Sequence, residues 1–292
     1  MRKRLLCLLF CLLLFPLPAG AEGTGAFFRE AEEDAVGRIV RTFDSPTLKY
    51  QMEKFKMEGE NCYLTRIWVK DPAKQIRKAT STWKEDVKYP DKIVQQIPET
   101  VLAVNGSGFV SPLYPEIPDN YPGESKDYYY TPLGSITVTN GEILRNLEGV
   151  PYYGLALDWE GQQMYVGADN EEVLENEPSQ TWAFYTGCPM MIRNEDILPE
   201  DWTFADRGAA RTIIGRVDRN NYLILTVTKE RGRGLSLRRA VTFFRDNFQT
   251  EWVYNLDGGY STALLCRRQG QKKLRLALKR GAKVVDIMAF TE

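Results

Sequence analysis

Glu251-Trp252-Val253-Tyr254-Asn255-Leu256-Asp257-Gly258-Gly259 is an apolar strand that runs straight into a carboxylate and two glycines. Just upstream, Leu237, Ala240, Val241, Phe244 and Phe248 recur at i, i+3, i+4, i+7 and i+11, the spacing of an amphipathic helix over 236–248 with Ser236 as its N-cap. Further upstream, Arg211–Val217 and Tyr222–Val227 flank the turn sequence Asp218-Arg219-Asn220-Asn221 and read as a hairpin. A second strand ends in a similar way: Val101-Leu102-Ala103-Val104 leads into Asn105-Gly106-Ser107-Gly108-Phe109. Strands are also predicted at 62–69, 134–139, 142–145, 152–158 and 260–266, with Asn140-Gly141 marking a tight hairpin turn. Weak helices are predicted within 27–40 and 84–97. Strands outnumber interspersed helices, so the expected class is α+β: a mixed β-sheet core in a single main domain over 61–292.

The N-terminus reads differently. Met1-Arg2-Lys3-Arg4 is basic, Leu5–Phe15 is an unbroken apolar run of eleven residues, and Ala19-Gly20-Ala21 follows Pro16 and Pro18. That run is short of the ~20 residues a spanning helix needs; it matches a cleavable signal peptide over 1–21. The expectations are therefore secretion or another extracytoplasmic location, and no stable membrane span after cleavage. Residues 22–60 are charged and irregular and are read as an N-terminal arm. Cleavage removes Arg2, Lys3 and Arg4 and leaves 271 residues with a net charge of −4, a balance unsuited to nucleic acid. Of the cysteines, Cys62, Cys188 and Cys266 remain, which allows at most one disulfide. The acidic stretch 169–180 shows no calcium-loop spacing and reads as a solvated loop. Residues 111–132 hold five prolines and Tyr128-Tyr129-Tyr130, so they form either a surface loop or an aromatic lid.

The chain has no histidine. That removes a Ser-His-Asp triad, a Cys-His pair and a His-ligated zinc site. Asn105-Gly106-Ser107-Gly108 fits neither the G-x-S-x-G elbow nor the G-x-G-x-x-G nucleotide loop, and no cofactor or metal is expected. What remains are two polar residues at strand ends, Asn105 and Asp257, each followed by glycines that leave room for a ligand at the backbone. Arg211-Thr212 opens a third strand, and a guanidinium is well shaped to hold a phosphate. Taken singly, Asn-Gly and Asp-Gly read first as turn dipeptides and Arg211 first as a surface ion-pair partner.

The order of these elements carries a resemblance. Asn105-Gly106-Ser107-Gly108-Phe109, Gly187-Cys188-Pro189-Met190-Met191-Ile192, Arg211-Thr212-Ile213-Ile214-Gly215 and Asn255-Leu256-Asp257-Gly258-Gly259-Tyr260-Ser261 resemble, in sequence order, the motifs of the phosphodiester glycosidase family. The likeness spans roughly 61–266, and it departs from the family pattern at Ser107 and at Tyr260, which stands where a third glycine is usual and is expected to narrow the site. The resemblance implies an exported hydrolase that cleaves the glycosidic bond of a sugar-1-phosphodiester, on a phosphorylated or cell-surface glycan, releasing free sugar and a phosphomonoester. Bacterial members are associated with exopolysaccharide. It implies Asp257, Arg211 and Asn105 as catalytic residues, with Thr212, Gly258, Gly259, Ser261 and Gly106 binding substrate. Most glycosidases use a second carboxylate; Asp206 and Asp158 are the candidates. The rival reading is a non-catalytic cell-wall or polysaccharide-binding module on the same fold.

Overall fold

A computed structural model describes residues 27–28, 36–81, 87–110, 131–132, 136–146, 154–159, 163–166, 174–175, 177–183, 189–229, 233–278 and 281–292. Three sheets dominate it. The largest has eight strands in the order Arg38–Asp44, Leu48–Met57, Glu60–Val69, Asn221–Val227, Arg211–Arg216, Trp252–Asn255, Pro189–Ile192, Glu195–Asp196. A five-stranded sheet runs Arg275–Leu276, Leu264–Cys266, Thr100–Asn105, Asp286–Thr291, Ile76–Thr80. A second five-stranded sheet runs Gln163–Val166, Gly154–Leu157, Gln180–Ala183, Ile136–Thr139, Glu142–Asn146.

Alternation along the strands decides which face meets which layer. Ile214, Ile224, Tyr222 and Tyr254 of the eight-stranded sheet pack with Val104, Leu264, Met288 and Phe290 of the first five-stranded sheet and with Leu155 and Trp182 of the other, forming the central core. The alternate residues Ile213, Leu223, Leu225 and Val253 face the helix Leu237–Asn247, which buries Leu237, Ala240, Val241 and Phe244 on them. Ser236 caps this helix, its Oγ accepting from the Arg239 N–H at 3.2 Å. Ala103, Ile287 and Ala289 point outward and are covered by Ile93, Val94 and Ile97.

Several expectations change. Every described strand pairing is antiparallel, so the sheets are not mixed. The class is nearly all-β rather than α+β: among the described residues Leu237–Asn247 is the one α-helix longer than four residues. It carries the chain across Arg211–Arg216 between two strands that run the same way, the kind of crossover that calls for a helix. The helix expected within 84–97 reduces to Pro90–Ile93 and a 3-10 turn, Val94–Gln96. The arm assigned to 22–60 is not an arm from Arg38 onward, because Arg38–Asp44 and Leu48–Met57 are two strands of the main sheet. Most of the helix expected within 27–40 lies outside the described residues, and from Arg38 the chain is a strand. The alternation of Leu48, Tyr50 and Met52, all buried, is the signal that marks the second of these strands.

The expected hairpins are present. Arg211–Arg216 pairs with Asn221–Val227 residue for residue, and Asn140 and Gly141 both take positive φ (52° and 76°), as a two-residue turn of this hand requires. Cys62 and Cys266 are buried free thiols, while Cys188 lies outside the described residues. So do the signal-like segment 1–21 and the tyrosines at 128–130. Among the described residues, no helix is long and apolar enough to cross a membrane.

Candidate active site

Three strands from two sheets end at one place. Asn105 closes Thr100–Asn105 in the five-stranded sheet, while Thr212 and Asp257 come from adjacent strands of the eight-stranded sheet. Asn105 is fully buried and knits them together. Its Nδ2 donates to the Asp257 carbonyl at 2.7 Å; its Oδ1 accepts from Thr212 Oγ1 at 2.6 Å and from the Ala263 N–H at 3.0 Å. The Asp257 N–H in turn donates to the Gly106 carbonyl at 2.9 Å. Asn105 is thus spent on holding the site together, and its amide is committed on both sides.

Asp257 is half-buried, and its carboxyl accepts from the Gly258 N–H at 2.8 Å. Burial pushes its pKa up from 3.8 to about 7, against the lowering effect of the Ser261 hydroxyl and the Gly258 N–H; the negative charge of Asp286 adds to the rise. A carboxyl that changes charge near neutral pH, on a residue that is only half-buried, is suited to acid, base or nucleophilic work. The glycines after it serve the backbone. A Cβ on Gly258 would sit 2.6 Å from the Ala210 carbonyl oxygen, and Gly259 takes φ +60° while its N–H donates to that same carbonyl at 2.8 Å.

Asp286 was not legible as a site residue. It is fully buried; Oδ1 accepts the Ser107 N–H at 2.6 Å, Oδ2 lies 3.2 Å from Lys78 Nζ, and its carbonyl accepts the Gly106 N–H at 3.1 Å. Lys78 Nζ also donates to the Thr181 carbonyl at 2.6 Å. A Cβ at Gly106 would fall 2.1 Å from Asp286 Oδ1, so only glycine lets the carboxylate cradle this turn. Ser107 fits the turn through its backbone, 2 % exposed. The signal that could have found Asp286 is an isolated acid opening the apolar run Ile287-Met288-Ala289-Phe290.

Arg211 sits at the same strand start but on the opposite face from Thr212. Its guanidinium is 2 % exposed, stacks 5.3 Å over Phe204, and donates from Nε to the Leu235 carbonyl (3.0 Å) and from Nη2 to the Arg207 carbonyl (2.6 Å). Burial lowers its pKa to about 10. The expected two-pronged grip on a phosphate is therefore not what this geometry presents, since two prongs already hold backbone. Arg211→Ala is expected to cost about 2–4 kcal/mol of stability, because it removes two charge-assisted hydrogen bonds, one of them buried at the Leu235 carbonyl, and the packing of the guanidinium over Phe204; urea unfolding measures this, and a loss under 1 kcal/mol would deny Arg211 its tethering role. Asp206 is a surface residue paired with Arg238 at 3.0 Å, and Asp158 lies by the turn before Trp159. Neither is among the groups that set the pKa of Asp257, whereas Asp286 is. Tyr260, expected to narrow the site, is 81 % exposed.

An antiparallel scaffold that gathers Asn105, Thr212, Asp257 and Ser261 at neighbouring strand ends defines a candidate glycosidase-type centre. The phosphodiester glycosidase family profile matches residues 98–289, and the chain belongs to that family. Among solved structures, it is similar to the catalytic domain of zebrafish N-acetylglucosamine-1-phosphodiester alpha-N-acetylglucosaminidase, auto-inhibited by its pro-peptide, at 16 % identity and a TM-score of 0.64, with 85 % of each chain covered. It is also similar to a hypothetical protein of Synechocystis (13 %, TM-score 0.52, 85 % of this chain and 63 % of that one). A protein of Burkholderia pseudomallei described as exported shares the fold as well (11 %, TM-score 0.54, 80 % and 74 %). No curated protein sequence matches.

Proposed function

We propose that this chain is an exported hydrolase that cleaves the glycosidic bond of a sugar-1-phosphodiester, releasing free sugar and a phosphomonoester from an extracellular or cell-surface glycan. The observation that carries the reading is Asp257: the carboxyl of a half-buried residue at a strand end, with a pKa raised to about 7, inside a hydrogen-bonded cluster of family-motif residues. The phosphomonoester leaves as an anion, so no imidazole is needed to protonate it. What the reaction demands is stabilisation of positive charge on the ring and a nucleophile or activated water at the anomeric carbon. Ionised Asp257 supplies one of these, with Ser261 orienting it. The Gly258-Gly259 backbone gives the sugar close approach, and Gly106 with Thr212 and Asn105 fixes the floor of the site. Arg211 contributes as a buried positive charge behind that floor and as the tie between the Arg207 and Leu235 loops, not as a phosphate fork.

The test is release of sugar from a panel of sugar-1-phosphodiesters by the protein, alongside Asp257→Asn. Turnover by wild type that the variant lacks supports the reading. A wild type inactive on every member, or a variant of equal activity, overturns it and leaves the polysaccharide-binding reading.

A further inference from the structure

Apart from the Asp257 cluster, a concavity of about 690 Å³ opens between the turn Asn140-Gly141, the segment Asp71–Arg77 and the hairpin at Arg219. Its volume is within the ~300–1,000 Å³ typical of small-molecule sites. Trp159 stands on its wall, 57 % exposed, an unusual fate for an indole in a chain that buries Trp182 completely. The indole is braced: a Cβ on Gly141 would lie 2.6 Å from its Cζ2, so the positive-φ glycine that makes the turn also lets the ring lie flush against it.

The polar lining is built, not incidental. Asn140 Oδ1 accepts from Arg77 Nη2 at 3.1 Å and from Gln180 Nε2 at 2.9 Å, and the Asn140 N–H donates to Gln180 Oε1 at 3.3 Å. Gln180 is itself 2 % exposed, so a buried amide holds the exposed Asn140 side chain, and Asn140 in turn holds the guanidinium at the cavity wall. Lys74, Arg77 and Arg219 bring three positive charges against one carboxylate, Asp71, which Lys74 engages at 3.0 Å. A locally positive basin on a chain of net charge −1 attracts anions.

An exposed aromatic face, two amides and a fixed arginine in one cavity suit a sugar ring bearing an acidic group. The ring lies on the indole, its hydroxyls meet the amides, and its anion meets Arg77 and Lys74. We propose that this cavity is a second glycan-binding site, selective for acidic oligosaccharide, that anchors the chain independently of turnover at Asp257. It shares one strand with the candidate active site. Arg77 serves the cavity, and its neighbour Lys78, pointing the other way, holds Asp286 and the 105–107 turn. A glycan held at Trp159 is thereby attached to the same rigid sheet that positions the catalytic cluster.

The test is titration calorimetry of the full chain with tetragalacturonate, a mannose-6-phosphate-terminated tetrasaccharide, neutral maltotetraose and inorganic phosphate. Saturable binding of one or both acidic oligosaccharides is expected, at least tenfold tighter than maltotetraose or phosphate. The two acidic arms tell carboxylate from phosphate recognition. Trp159→Ala and, separately, Arg77→Gln are expected to weaken it at least tenfold, with unchanged thermal melting and unchanged hydrolysis of a small sugar-1-phosphodiester. Asp257→Asn is expected to bind as wild type does, so failure of this site and failure of the catalytic reading are distinguishable. No saturable binding by wild type, full affinity in both folded variants, or phosphate binding as tightly as the oligosaccharides would each overturn the proposal.

Discussion

Replacing Asp257 by Asn is expected to cut sugar release by about 10³-fold or more, the scale of losing a positioned acid–base or nucleophilic carboxylate, and at the same time to stabilise the fold above pH 7. The two effects share one cause. Burial raises the carboxyl from 3.8 to about 7, so the native state holds the proton more tightly than the unfolded chain does. The stability linked to that proton is fully present below pH ~4 and is lost as pH climbs through about 7. Above pH 7 the protein carries a partly desolvated charge that Asn lacks, and the variant should be more stable there by about 1–2 kcal/mol, with no difference near pH 4. Because the proposed roles need the ionised form, wild-type kcat/KM should rise with pH and level off above about 7. Urea unfolding at pH 4 and pH 8, with a pH–rate profile, checks all three. A profile that falls through pH 7 would instead make Asp257 a proton donor, and an Asn variant less stable at pH 8 would remove the desolvation argument.

The largest loss of stability should come from Asp286→Asn. It leaves the Lys78 ammonium buried without a counter-charge, and breaking such a pair from one side costs about 3–5 kcal/mol. Burial lowers the pKa of Lys78 and Asp286 raises it, so without the carboxylate Lys78 sheds its proton more readily. The deficit of the variant should therefore shrink as pH rises. Lys78→Met combined with Asp286→Leu removes both charges and should recover most of the stability, without restoring full turnover, since the Ser107 N–H has lost its acceptor. One readout separates positioning from mere stability. The negative charge of Asp286 contributes to the raised pKa of Asp257, so the acidic limb of the pH–rate profile should move to lower pH in the folded double variant. A double variant with wild-type turnover and an unmoved profile would confine Asp286 to a structural role.

Much of this protein was legible in order and spacing. The 236–248 periodicity gave a helix at Leu237–Asn247, the Asp218–Asn221 turn gave a hairpin, and Asn140-Gly141 gave a turn with positive φ at both positions. These are local signals, set by side-chain period and by the backbone freedom of particular residues. The strands Arg38–Asp44 and Leu48–Met57 escape a reading of the sequence because their exposed positions carry Arg, Thr, Asp and Lys and a buried one carries Glu53, and only the neighbouring Glu60–Val69 strand makes sense of the alternation beneath, its Arg66 pairing with Glu53. The antiparallel order of all pairings was equally out of reach, since strand direction depends on which segments become neighbours.

The same division runs through the site. The sequence by itself determined that Asp257 ends an apolar strand with glycines behind it, that Asn105 does likewise, and that no histidine is available for the chemistry. Tertiary structure decided what each does. It turned Asn105 into the clamp between two sheets, gave Thr212 to that clamp, and brought Asp286 from 29 residues further on to bear on Asp257. It also turned Arg211 to the other face, because neighbouring residues on a strand point opposite ways and Thr212 had already taken the side of Asn105. Residue identity and local spacing fix which groups are present. Register and burial fix which of them meet and how they are charged, and both depend on contacts far apart in the chain.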